Sequence, residues 1–166
     1  MGALEDPARL AALERLDVLE GRPGAGFDRY TSLAAEMLEA PVSLVSLVET
    51  DRQRFLARHA AAEPFKSMAD TPLSYSFCQH AVRSKAPLVI GDTREDPRVS
   101  DNPAIEEHEV IAYAGAPIVT RDGHALGTLC VIDHEPREWT PRQVELLVDL
   151  AAAVAREIEQ RAGWRA

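Results

Sequence analysis

Apolar positions along this chain change period several times, and each change marks an element. In "ARLAALERLDVLE", Leu10, Leu13, Leu16 and Leu19 recur every third residue, which lines one side of a helix. Asp6 stands where an N-cap belongs and Pro7 at the first helical position. The three glycines and proline of "GRPGAG" end that helix. A second helix follows in "FDRYTSLAAEMLEA", with Phe27, Tyr30, Leu33, Ala34 and Met37 as its apolar face, and Pro41 stops it. Together they form an N-terminal helical segment, residues 7–39.

From residue 42 the pattern turns β-branched. "VSLVSLVE" (42–49) reads as a largely buried strand with serines interleaved. "TDR" is a turn, and the more polar "QRFLARHA" a second hairpin strand nearer an edge. Residues 60–75 show no period and contain Pro64 and Pro72, so a loop with room for a helical turn is predicted. Ser76 to Ser84 reads as a short helix, opened by a capping box of Ser76 and Gln79. "PLVIGDT" (87–93) is a strand that runs into a charged loop. Asn102-Pro103 starts another short helix. "VIAYAGAPIVT" and "HALGTLCVID" are two strands joined by "RDG", where Gly123 is free to take positive φ. Thr140 caps the last helix, Pro141 is its first residue and Gln143 completes a capping box, over 140–162. Strands joined mostly by hairpins, with helices before, between and after them, predict an α+β fold around an antiparallel sheet of about five to six strands. With 166 residues and no linker or repeat, residues 1–166 read as one domain, with sheet and connections at 42–133.

Composition narrows the function. The chain has 27 acidic against 18 basic residues, a net charge of −9, and no basic cluster. That argues against nucleic acid or anionic lipid as partner. No apolar run approaches the roughly 18–20 residues of a membrane span, and "MGALEDPARL" lacks a signal-peptide layout. Two cysteines make no disulfide framework. A soluble, cytoplasmic protein is expected.

The two cysteines each have a histidine nearby. Cys78 and His80 are two apart, so on a helix they point to different sides and do not share a metal. Cys130 lies on a strand and His134 beyond its end, about 13 Å away if the strand runs straight. No metal site is expected. Cys130 reads as a small strand hydrophobe. Cys78 sits at a helix start, where the helix dipole lowers a thiol pKa, though a plain packing role is the commoner one. Asp92 and Asp96 flank "TRE". Such a pair suits acid–base work, but more often caps turns.

From Ser76 onward, "SFCQHAV", "PLVIGDTREDPR", "NPAI" and "AYAGAPIVTRDGHALGTLCVIDHEPREWTPRQVELL" resemble bacterial GAF domains, particularly the stand-alone or N-terminal sensory kind. The resemblance covers nearly the whole chain. It implies a GAF/PAS-like sheet with terminal helices on one face and a ligand pocket under short helices and loops on the other. It also implies a sensing module that dimerises through its terminal helices and acts on a signalling protein in trans.

The Asn-Lys, Phe, Asp-Glu pattern of the cyclic-nucleotide class is missing. The bilin class has His directly after its Cys, where this chain has Gln79. The free-methionine-sulfoxide reductases carry up to three cysteines near the pocket, and this chain has two. The five histidines are scattered, unlike a haem or iron set. The cofactor therefore stays unknown.

In the resembling fold the polar residues near the pocket are Cys78, Asp92, Thr93, Asn102, Tyr113 and Thr128, an expected ligand-binding group. With no catalytic constellation in the sequence, a non-catalytic small-molecule sensor and homodimer is expected. The alternative is a thiol redox protein, either methionine-sulfoxide-reductase-like or a redox sensor, using Cys78 and Cys130. In the last helix, Leu147, Ala151, Val154 and Ile158 form one stripe, while Leu146, Val148 and Leu150 add apolar surface that a partner copy would cover.

Overall fold

The computed structural model describes residues 3–15 and 26–161. The element order is α1 (Pro7–Arg15), α2 (Asp28–Leu38), β1 (Val42–Val48), β2 (Arg52–Ala60), β3 (Asp70–Pro72), α3 (Cys78–Ser84), β4 (Leu88–Ile90), α4 (Ala104–Glu107), β5 (Ala112–Val119), β6 (Ala125–Asp133) and α5 (Pro141–Arg161). Short 3-10 turns cover Ala3–Glu5, Leu73–Tyr75 and Thr93–Glu95. The strands form one six-stranded antiparallel sheet in the order β3-β2-β1-β6-β5-β4. This is the predicted α+β class.

The sheet separates two apolar layers, because successive strand side chains point to opposite faces. On one face Val45, Leu47, Ala116, Ile118, Leu129 and Val131 pack against α1, α2 and α5 through Leu13, Ala34, Leu38, Leu147, Val154 and Ile158. On the other, Leu44, Tyr113, Cys130 and Ile132 meet Phe65, Phe77, Val82, Val99 and Ile105. A bulge between Val45 and Ser46 in the β1–β2 register puts Phe55 on the second face and Ala57 on the first. β1 and β6 approach closely at Gly127, where a Cβ would lie 1.7 Å from the Ser46 carbonyl oxygen.

Local signals explain most boundaries. The capping box of α5 forms in full: Gln143 N donates to Thr140 Oγ1 (3.1 Å) and Thr140 N to Gln143 Oε1 (2.9 Å). The "RDG" turn closes with Gly123 at φ 85°. Past β6, Arg137 donates to the Leu38 and Glu39 carbonyls at the end of α2 (2.6 and 2.9 Å) and to Asp133 (2.7 Å), which satisfies carbonyls a helix end leaves free.

Four expectations need correcting. The stretch 60–75 is not all loop: Asp70–Pro72 pairs with Arg52–Arg54 as an edge strand, too short to show a period. Of the face expected for the second helix, Phe27 and Ala34 are buried and Tyr30 and Met37 pack against the core, but Leu33 is 43% exposed and Thr31, Ala35 and Leu38 are buried with them. Two small residues let α2 lie close to the sheet, and that rotates Leu33 outward. The box at Ser76 is half made. Gln79 N donates to Ser76 Oγ (3.1 Å), but the Gln79 amide donates to the Leu73 and Ser76 carbonyls, because Ser76 N is already bonded to Leu73 O.

The fourth concerns α1, where Leu13 is buried and Leu10 partly so; Leu16 and Leu19 lie outside the described residues. Its best-buried position also includes Arg9, whose guanidinium donates to the carbonyls of Val48 (2.7 Å), Leu4 (3.0 Å) and Ala125 (3.3 Å). No helix among the described residues is long and apolar enough to cross a membrane.

Candidate functional site

Between the sheet and the layer of α3, α4 and their loops lies a cavity. Its apolar walls are Leu44, Ala104, Val110 and Ile132. Aromatic rings close it: Phe77 stacks on Tyr113 with centroids 5.4 Å apart, while His108 meets Phe65 edge-on (5.8 Å) and Tyr75 at a tilt (5.4 Å). Its polar lining is Ser46, Gln53, Thr71, Cys78 and Cys130. About 310 Å³ is free of atoms, mouth included, but only about 20 Å³ admits the centre of a water molecule, roughly one water's worth. The rings themselves fill most of the pocket.

Two hydroxyl residues in the lining are buried, Ser46 and Thr71: Thr71 Oγ1 has no hydrogen-bond partner, and Ser46 Oγ none beyond the nearby Cys78 sulfur. Gln53 is also buried, but its carbonyl oxygen is taken by Ser76 Oγ at 2.8 Å.

At the inner wall, polar groups converge on one sulfur. Cys78 Sγ accepts from Thr128 Oγ1 (3.0 Å) and Tyr113 Oη (3.1 Å). Cys130 and Ser46 also lie near enough to favour its charged form. Burial alone pushes the Cys78 thiol up. Cys130, Thr128, Tyr113 and Ser46 together outweigh burial and bring it down to about 6. Cys130 moves the other way, raised first by Cys78 and then by burial. Tyr113 is raised by burial first, then by the two sulfurs. The proton is thus withheld from Cys78 and kept on its neighbours.

Comparison with known proteins places this architecture. The sequence model of the GAF domain matches residues 23–158. The chain belongs to the GAF domain family. Such domains are ligand-sensing signalling modules. The chain is 33% identical over 156 residues to a cyclic di-GMP phosphodiesterase of Pseudomonas aeruginosa, covering 93% of this chain but 26% of that protein. It spans about a quarter of that relative. Among solved structures, the GAF domain from an Acinetobacter phosphoenolpyruvate-protein phosphotransferase superposes with TM-score 0.66 at 16% identity, covering 95% of this chain and 98% of that one. A free methionine-R-sulfoxide reductase from Neisseria meningitidis, solved with its substrate, gives 0.64 at 18%, covering 83% and 80%. At such identities these likenesses establish the fold alone.

In this GAF domain the expected ligand-binding residues divide into two sets. Cys78, Tyr113 and Thr128 meet at the cavity's inner wall. Asp92, Thr93 and Asn102 are away from it. Asp92 caps the 3-10 turn and pairs with Arg94. Thr93 Oγ1 donates to Val110 O at 2.7 Å, tying that loop to β5. Asn102 Oδ1 caps α4 by accepting from Ala104 N at 2.8 Å.

The two Cys–His pairs separate. His80 lines a surface hollow with Arg98, Asp101 and Asn102, and His134 Nδ1 lies 2.8 Å from Glu109 O, while both cysteines are buried. Sequence reasoning missed Ser46, Gln53, Thr71 and the rings of Phe65, Tyr75, Phe77 and His108. Ser46 left a trace, as one of two hydroxyls in an apolar strand.

Proposed function

We propose that this chain is a small-molecule-sensing, non-catalytic GAF signalling module, with its ligand held between the sheet and α3–α4. The carrying observation is two buried hydroxyl residues in the lining of one ring-lined cavity, Ser46 and Thr71: Thr71 Oγ1 has no hydrogen-bond partner, and Ser46 Oγ none beyond the nearby Cys78 sulfur. Native interiors leave few such groups unpaired, and a ligand would satisfy them.

The same reading includes a homodimer through the terminal helices, with the signal passed to another domain or protein. It is supported by the outward surface of α5, where Val148 is 39% exposed and Leu146 and Leu150 are partly so. Leu147, Ala151, Val154 and Ile158 are used inside the fold.

Native mass spectrometry tests both parts. A small mass released on denaturation, from a dimer, is the expected result. A bare monomer that stays bare after incubation with a small-molecule extract of cells overturns the reading.

A second reading has its own observation, two free, buried cysteines, Cys78 and Cys130, in the lining of one cavity. Two thiols that give up two protons and two electrons form a disulfide, and a sulfoxide taking them up leaves as sulfide and water. Fast alkylation of Cys78 at neutral pH, and a disulfide after sulfoxide treatment, would favour it. Two inert thiols would dispose of it.

A further inference from the structure

We infer that the cavity takes a compact, electrically neutral ring compound bearing one hydroxyl or similar hydrogen-bonding group, and excludes nucleotides, carboxylates and ammonium ions. This class presupposes the ligand site proposed above.

Charge decides the first part. Among the described residues, no Asp, Glu, Lys or Arg lines the cavity. His108, at the ring cluster, is pushed down by burial, which keeps it neutral at pH 7. An ion placed there would lose its water, and the one charge it could meet, the Cys78 sulfur, is already held by Thr128 and Tyr113, so burial costs far more than a hydrogen bond returns. An anion fares worst. The cavity's strongest donors are already gathered on the Cys78 sulfur, and the chain's net charge of −9 repels it from a distance.

The hydroxyls decide the second part. Ser46 is fully buried and Thr71 is 5% exposed; Thr71 Oγ1 lacks any partner, and Ser46 Oγ lacks one beyond the nearby Cys78 sulfur. A hydroxyl can donate to one and accept from the other, so a single neutral polar group serves both.

Size and walls decide the third. As it stands the cavity has room for about one water, well below the usual ligand site. Room is gained by moving rings, and a ring is what best replaces their stacking.

Three probes of one shape test this: benzyl alcohol, benzoate and benzylammonium, each titrated into the full chain at neutral pH while backbone amide spectra are recorded. Benzyl alcohol is expected to shift the amides of Ser46, Thr71 and Cys78 saturably, and the two ions to leave them unmoved. Thr71→Val and Ser46→Ala should each weaken benzyl alcohol about three- to tenfold without changing the response to toluene. Thr71→Val should leave the unliganded protein at least as stable, since the lost hydroxyl had no partner; the same spectra report folding.

Saturable shifts at these residues by benzoate or benzylammonium overturn the neutral class and leave the ligand site standing. Silence from all probes, toluene included, overturns both. Unchanged benzyl alcohol affinity in both variants overturns the role of the hydroxyls.

Discussion

On the helix side of the sheet, long amphipathic helices cover the strands with Leu, Val, Ile and Ala. On the cavity side, the cover is two helices of seven and four residues plus loops, and the strands present Ser46, Cys78's donors and Tyr113 beside their apolar residues. One sheet therefore carries two interiors. The first is packed from apolar side chains. The second tolerates two buried hydroxyls short of partners and a low-pKa thiol. Stability is concentrated where helices are long, and chemistry where the cover is short and divided.

The largest test of this division is Leu147→Ala on α5. Leu147 is 1% exposed in the helix-side core, so its truncation is expected to cost about 2–5 kcal/mol, read from urea unfolding. Thiolate absorbance should show the Cys78 titration unmoved. A shifted titration would mean the two interiors are not separable.

Next is the pH dependence of stability. The folded-state pKa of Cys78 is depressed from 9.0 to about 6. Its stabilisation is thus fully present above the unfolded value and lost as pH falls through about 6. Cys130 and Tyr113 are raised, so theirs is present below the unfolded values and lost as pH rises beyond them. Wild-type stability relative to Cys78→Ala should therefore climb between about pH 6 and 9. A flat difference across that window would show that the donors do not hold a thiolate.

Gly115→Ala comes third and acts along β5, on the face that carries Tyr113. A Cβ at Gly115 would stand 2.3 Å from Tyr113 Oη. The ring must move off Cys78, at about 1–3 kcal/mol for overpacking, and Cys78 should titrate higher. Unchanged titration with lost stability would mean that Tyr113 is only packing.

What was legible in the sequence follows the same division. The α5 capping box needs residues three apart, and its two hydrogen bonds form. Helix and strand periods gave the sheet and its helices. The cavity chemistry is non-local: Tyr113 and Thr128 lie 35 and 50 residues from the sulfur they bond, so no window of sequence contains the cluster. Thr71 sits on a three-residue strand, too short for alternation to register. Arg9 defeated the polar-outside rule because its partners are backbone carbonyls, which leave no mark in a sequence. Asp92, Thr93 and Asn102 have the side chains of a binding loop, yet their hydrogen bonds go to their own turns and to β5.

The smallest expected effects belong to single donors, and they sharpen the comparison most. Tyr113→Phe and Thr128→Val each remove one hydrogen bond to Cys78 and keep the shape of the wall. Each should cost about 0.5–1.5 kcal/mol, and raise the Cys78 titration by about one unit or less. If the donors act as a set, the double variant should raise it by more than the sum of the singles, because the remaining donors no longer outweigh burial, which is the largest influence on the group. Simple additivity would mean that each donor acts alone. No movement in either single variant would remove the donors as the cause, and leave the cavity side differing from the helix side in shape alone.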